Sequence, residues 1–329
     1  MTLILGIETS CDETSAAVVE NGRRVLSNVV KTQMSHKDFG GVVPDLSSRE
    51  HVEYIYQVVE ESLSEAGVSI KEINAVSAVN GPGLVGSLMV GLTSAKAISL
   101  RNNIPFIATD HVKGHIYGNI LTHGEILFPS LALVVSGGHT SLFMVEKDFS
   151  VKEIGKTLDD AAGEAFDKCA KMLSLGYPGG PALERTAQGK DGRFKKFPVS
   201  KLKSFDFSFS GLKTSVMYYI KEMGTNFVQK NVADIASSIE FAIVEQLIKT
   251  TYAAYEKFSP AGVMIAGGVS ANKLLRRRFE EVFEKKRVKV YIPEMRYCTD
   301  NAALTAGIAY LNFEKNNFTS VDAGVYSRN

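Results

Sequence analysis

Apolar residues come in short runs and in helical rhythms, and the runs fall into two blocks. Residues 3–7 (Leu-Ile-Leu-Gly-Ile) predict a short strand, 15–19 a second and 24–30 a third. Between the first two lies Glu8-Thr-Ser-Cys-Asp-Glu-Thr14, a polar hairpin turn. Over 49–66, Val52, Ile55, Val58, Val59 and Leu63 share one face, which predicts a helix. Residues 73–79 read as a strand, 85–100 as a helix after a glycine turn, and 104–108 as a strand.

The pattern then restarts. Residues 130–135 form an apolar strand, Ser136-Gly-Gly-His-Thr140 a polar turn, and 141–145 a returning strand. Helices follow at 161–175 and 232–257, a strand at 262–266, and the turn Gly267-Gly-Val-Ser270. An amphipathic helix at 271–285, a strand at 288–292 and a helix at 301–313 close the pattern. Strand, polar turn, strand thus occurs twice, about 125 residues apart. The repeat predicts a duplicated α/β architecture with two similar lobes and a cleft between them. We expect residues 1–110 to form the first lobe and 111–302 the second, with helical insertions. The closing helix and tail, about 303–329, are expected to pack back on the first. Backbone N–H groups in the paired turns, with a third turn before a helix, suit a phosphate.

The chain has 329 residues, 45% of them hydrophobic, with 37 Lys+Arg against 36 Asp+Glu. A net charge of +1 excludes a general nucleic-acid coat or an acidic disordered tail, though not a local basic face. Three scattered cysteines (Cys11, Cys169, Cys298) fit a reducing compartment rather than a disulfide framework. The first residues lack the basic region of a signal peptide. The charge-free stretch 73–95 is long enough to span a bilayer, but Asn80-Gly-Pro-Gly83 interrupts it. The expectation is a cytoplasmic protein with no membrane contact.

Six histidines end at His139, and two of them form His111-Val-Lys-Gly-His115. Spacing of i, i+4 puts both on one helix face, either to share a metal or as solvated or capping histidines. A zinc protease needs Glu after the first His, and that position is Val112. Asp300 is a candidate third ligand, or an ordinary helix N-cap. Asp12 and Glu13 are either turn residues or groups that assist a metal or a proton transfer. Asp167 sits mid-helix, where aspartate is usually at the surface. Gly176-Tyr-Pro-Gly-Gly-Pro181 reads as a rigid loop, a place for a ligand to approach or a helix stop. No phosphate-binding G-x-x-x-x-G-K-[ST] occurs. Gly81–Gly86 matches G-x-G-x-x-G, but Pro82 removes a donor and no acid follows at the right distance, against a dinucleotide site. From 183 to 204, seven Lys/Arg stand against two acids, with Phe194 and Phe197 interleaved. That composition suits RNA phosphates, or equally a solvated charge run.

Taken together, ten ordered motifs resemble the bacterial TsaD proteins, relatives of the archaeal and eukaryotic Kae proteins. They are Glu8-Thr-Ser-Cys-Asp-Glu-Thr14, His36-Lys…Gly40-Gly-Val-Val-Pro44, Asn80-Gly-Pro-Gly-Leu84, His111-Val-Lys-Gly-His115 and Val135-Ser-Gly-Gly-His-Thr140. Then come Gly163-Glu-Ala-Phe-Asp-Lys168, Tyr177-Pro-Gly-Gly-Pro181, Phe207-Ser-Phe-Ser-Gly-Leu-Lys213, Ala266-Gly-Gly-Val-Ser-Ala-Asn272 and Tyr297-Cys-Thr-Asp-Asn-Ala302. The resemblance implies a duplicated actin/Hsp70/sugar-kinase-like fold. It implies that His111, His115 and Asp300 hold one divalent metal, iron or zinc. It also implies that Val134, Val135, Ser136, Gly137 and Gly138, with Asp167, Gly180, Glu184 and Asn272, hold an adenylate. At Glu184 the family more often has aspartate, one methylene shorter.

The implied reaction moves a threonylcarbamoyl group from threonylcarbamoyl-AMP to N6 of the adenosine immediately 3′ of the tRNA anticodon. Asp12 is our candidate for taking the amine proton, and Lys195, Lys196, Lys201 and Lys203 for contacting tRNA. The implied partners are a TsaB-type paralogue, a TsaE-type ATPase and a TsaC-type enzyme that supplies the intermediate, with 49–66 as the docking helix. Two other readings compete, a kinase or ATPase of the same superfold and a non-catalytic scaffold. The histidine pair argues against a kinase, which needs Mg²⁺ and carboxylates.

Overall fold

A computed structural model describes residues 1–36 and 41–327. The stretch 37–40, inside the motif from His36 to Pro44, lies outside the described residues.

Strand β1 (Leu3–Glu8) is buried along its whole length, as a strand covered on both faces must be. It pairs antiparallel with β2 (Glu13–Glu20), which pairs with β3 (Arg24–Thr32). Helix α1 (Pro44–Ala66) starts with proline, whose missing N–H costs nothing there, and stops at Gly67 in the left-handed conformation. Strand β4 (Ala75–Gly81), α2 (Val85–Asn102), β5 (Phe106–Asp110) and α3 (His111–His123) follow. The stretch 73–95 is therefore a strand, a turn and a helix. Among the described residues no helix is long and apolar enough to cross a membrane.

The second set is β6 (Ser130–Val135), β7 (Thr140–Val145), β8 (Val151–Lys156), α4 (Ala162–Met172), α5 (Gly179–Ala187), α6 (Ser210–Met223), α7 (Thr225–Lys230) and α8 (Val232–Phe258). Next come β9 (Gly262–Ala266), α9 (Lys273–Phe283), β10 (Lys289–Tyr291) and α10 (Ala302–Glu314).

The first sheet runs β3-β2-β1-β4-β5, and the second, read from the other edge, runs β8-β7-β6-β9-β10. Each is a three-strand antiparallel meander continued by two parallel strands. The expected duplication is thus present in strand order as well as in sequence pattern.

Two compact units divide the chain as residues 1–125 with 293–329, and residues 126–292. This corrects the expected break after 110, because α3 and the segment 293–302 belong to the first unit. The physical reason is hydrophobic. Tyr297, Ala302, Ala303, Leu304, Ala306 and Ala309 share one buried cluster with Ile4, Ala17, Ala75 and Ile107. Helix α10 packs on this sheet, and Gly6 gives it room: a Cβ there would press into Ala302 O and Ala306 N. The second unit has a larger core, built from β6, α4, α8, β9 and α9 around Leu133, Phe166, Ile239, Ile243 and Phe279.

Candidate functional site

Asp110 ends β5 and caps α3, its Oδ1 accepting from Lys113 N at 2.8 Å. The next residue is His111, and one turn on is His115, so both imidazoles leave the first turns of α3 together. Their ring centroids are 4.6 Å apart at an interplanar angle of 79°. Asp300 precedes α10 and meets them, its Oδ1 lying 3.1 Å from His115 Nε2 and 3.7 Å from His111 Nε2. One ligand atom from each of the three lies within 4.8 Å of the others. All three residues belong to the first unit, whereas the expected break after residue 110 would put them in the second.

This trio fits a divalent ion. Both ring nitrogens of His115 are buried without a hydrogen bond, and the approach to Asp300 lacks hydrogen-bond geometry. Buried polar atoms without partners are costly and normally avoided. Two imidazoles and a carboxylate are the donor set of iron(II) and zinc sites.

Two residues of the Glu8–Thr14 turn, given no site role in the sequence reading, touch the trio. Ser10 Oγ is 3.1 Å from His111 Nδ1, and Glu8 Oε2 is 3.6 Å from it. Glu8 is buried, its Oε1 accepting from Ser10 N at 2.7 Å. The signal was available: a charged residue ending a wholly apolar strand. Burial opposes charging His111, but Asp300, Glu8 and Asp110 outweigh it and push its pKa up to about 9.

The β1–β2 turn carries Cys11, Asp12 and Glu13 beside this cluster. Burial, then the charges of Asp300 and Asp12, hold the Glu13 carboxyl well above the usual range, with a hydrogen bond to Asp12 adding to it. Burial and the same two aspartates push the Cys11 thiol up, so it is no ready thiolate nucleophile. Asp12 is half-buried on the turn.

In the second unit, Val134 and Val135 are buried in β6, leaving only their backbone to meet a ligand. Ser136, Gly137 and Gly138 form the β6–β7 turn, where Gly163 N donates to Ser136 O at 3.2 Å. A Cβ added at Gly137 or Gly138 would meet nothing within 4 Å. Asp167 does not point into solvent, as a mid-helix aspartate was expected to. Its Oδ1 accepts from Gly179 N at 2.7 Å and Gly180 N at 3.3 Å, capping α5 from another helix. The run 176–181 is correspondingly a loop only as far as Pro178. Asn272 caps α9 through Leu275 N at 2.8 Å and donates to the buried Glu240 at 2.7 Å. Glu184 accepts from Lys273 N at 3.2 Å, and burial raises the Glu240 pKa.

The basic segment is less uniform than its composition. Lys196, Lys201 and Lys203 are exposed. Lys195 is half-buried with its Nζ 4.9 Å from the Tyr219 ring centroid. Phe197 is a core residue packed on Tyr219, which corrects its expected place among RNA-facing aromatics, while Phe194 is 46% exposed. Lys190 pairs with Asp234 at 3.0 Å.

Two α/β units of matching strand order, one with a clustered His-His-Asp set, define a two-lobed α/β fold. Two solved structures share the fold. One is component A of the (R)-2-hydroxyglutaryl-CoA dehydratase of Acidaminococcus fermentans, with TM-score 0.57, 14% identity and coverage of 94% of this chain and 98% of that one. The other is the ROK hexokinase of Thermus thermophilus, with TM-score 0.50, 14% identity and coverage of 96% and 99%. Such low identity speaks for the fold alone. The chain belongs to the TsaD family, the tRNA N6-adenosine threonylcarbamoyltransferases, whose sequence profile matches residues 24–307. A relative of that name from Caldicellulosiruptor saccharolyticus is 46% identical over 319 residues, covering 97% of this chain and 95% of its own length.

Proposed function

We propose that the protein transfers the threonylcarbamoyl group of threonylcarbamoyl-AMP to N6 of the adenosine immediately 3′ of the anticodon, in tRNAs reading codons that begin with A. The observation that carries this is the convergence of His111, His115 and Asp300 beside the 8–14 turn, in a chain of the threonylcarbamoyltransferase family. The N6 nitrogen attacks the carbamoyl carbon, the bond from that carbon to the phosphate oxygen breaks, and AMP leaves with the electron pair. The amine proton goes to Asp12, beside a Glu13 whose carboxyl pKa burial raises. The turn from Val134 to Gly138, with Asp167, Gly180, Glu184 and Asn272, takes the adenylate, its glycines letting backbone N–H groups approach phosphate. His111, His115 and Asp300 would hold one iron or zinc ion, which supplies Lewis-acid stabilisation of the developing charge.

Partners follow from the same reading. The intermediate must come from a TsaC-type enzyme, in the cytoplasm where tRNA is matured. A TsaB-type paralogue docks on α1 and α2, with a TsaE-type ATPase completing the assembly. The support is an apolar face: Val52, Tyr56, Val85 and Met89 are all exposed there, and Val52 and Met89 line a cavity of about 330 Å³ together with Ile55 and Val90.

The test supplies the purified protein and its partners with labelled threonylcarbamoyl-AMP and unmodified tRNA, and scores label in tRNA together with bound metal. We expect His111→Ala and Asp300→Ala to lose both while the complex still assembles. Transfer by a metal-free variant would overturn the metal assignment, and no transfer by the wild type would overturn the reaction.

A further inference from the structure

The segment after α10 turns back along β4 and β5 as a strap. Thr319 N donates to Phe106 O at 2.8 Å, and Ala108 N donates to Thr319 Oγ1 at 2.9 Å. Lys96 Nζ donates to Ala323 O at 2.5 Å, and Tyr326 N donates to Asn80 O at 2.9 Å. Val325 packs on the core beside β4. These contacts deliver the Tyr326 ring onto Gly81, where any Cβ would strike the ring. The hydroxyl then lies 2.7 Å from Asp110 Oδ2 and 3.0 Å from Gly81 O.

A hydroxyl has one proton to give, and the carboxylate is both the nearer and the stronger acceptor. Burial and the Asp110 charge raise the Tyr326 pKa, so the proton stays on the phenol. Asp110 Oδ1 is already fixed on Lys113 N, the first turn of α3. Both carboxylate oxygens are thus committed, one to the helix and one to the strap. Asp110 immediately precedes His111.

We propose that Tyr326 is a positioning residue: its hydroxyl locks Asp110 and, through it, the first turn of α3 that presents His111 and His115. The inference rests on the reading of His111, His115 and Asp300 as metal ligands. A site of this kind needs its ligands held within about 0.5 Å, and side chains behind the ligands supply that precision.

The experiment titrates metal-free, full-length protein with Co²⁺, reading affinity and the visible absorption spectrum, with thermal unfolding on the same samples. Tyr326→Phe should bind Co²⁺ more weakly by roughly tenfold, the low end for groups behind a ligand. Thr319→Val removes a different strap bond and should bind as the wild type does. Adding Tyr326→Phe to Asp110→Asn should weaken binding no further than Asp110→Asn alone. Wild-type affinity in Tyr326→Phe, or equal weakening in Thr319→Val, overturns the proposal, the latter by reducing the strap to general stabilisation. Failure of the wild type to bind Co²⁺ would instead overturn the metal reading beneath it.

Discussion

His51 is held from two sides. Thr14 Oγ1 lies 2.7 Å from its Nδ1, and its Nε2 lies 3.0 Å from Cys11 O. A carbonyl only accepts, so Nε2 carries the proton and Nδ1 accepts from threonine. Ser47, one turn earlier on α1, also donates to Cys11 O. Helix α1 thereby grips the turn that bears Asp12. The ring is fully buried, and burial lowers its pKa from the ordinary histidine value. As pH falls the unfolded chain takes this proton first. The stabilisation is therefore complete above the ordinary histidine pKa of about 6.5 and is lost as pH falls from there through the lower folded value. Urea unfolding at pH 7 and pH 5 should show a smaller pH-dependent loss in His51→Gln than in the wild type. At Asp12, Asp12→Asn should cut transfer by about 10²-fold or more with metal content unchanged, which single-turnover kinetics would measure. The i, i+4 histidines were legible because helical geometry is local. His51 was not, since nothing in its neighbourhood of sequence announces that Thr14 and Cys11 will close around it.

Among elements, the contact of α10 with β1 matters most, because α10 follows directly on Asp300. Ala302 N donates to Ser15 Oγ at 2.9 Å, tying the helix start to β2. Gly6→Ala would push the helix off the strand. We expect a loss of about 1–3 kcal/mol in unfolding free energy, as for other overpacked cores, together with weaker metal binding. Urea unfolding and metal titration on one preparation would check both. Long periodic elements such as α8 and apolar strands such as β6 and β9 could be read directly from the chain. Strand β8 (Val-Lys-Glu-Ile-Gly-Lys) alternates too weakly to stand out, and α6 and α7 follow a stretch dominated by charge. Helix α5 was missed for a different reason. Its cap is Asp167, supplied from α4, and a cap borrowed across tertiary structure leaves no mark beside the glycines it stabilises. Asp300 was recognised as a ligand candidate but placed in the wrong unit. Position along the chain does not say which sheet a segment will bury itself against.

For the whole molecule, a charge of +1 and a tRNA substrate are reconciled by local concentration. Lys196, Lys201 and Lys203 are exposed on a segment otherwise anchored by Phe197, by Lys190 to Asp234 and by Ser208 Oγ donating to Asp159 at 2.5 Å. Replacing these three lysines with glutamine should weaken tRNA binding and flatten its dependence on salt. The expected change in slope is about one unit for each lost phosphate contact, read by filter binding across a salt series. Lys195→Gln should change the slope least, because that side chain already lies against Tyr219.

The discontinuity of the first unit also has a consequence in time. On the ribosome His111 and His115 are made before any of residues 126–292, and Asp300 only after all of them. At about 5–20 residues per second, the two imidazoles wait roughly ten to forty seconds for their carboxylate. The second unit is synthesised within that interval, its last residue, Ile292, only eight positions before Asp300. A nascent chain that ends just before Asp300 therefore has every residue of the second unit but only two of the three candidate metal ligands.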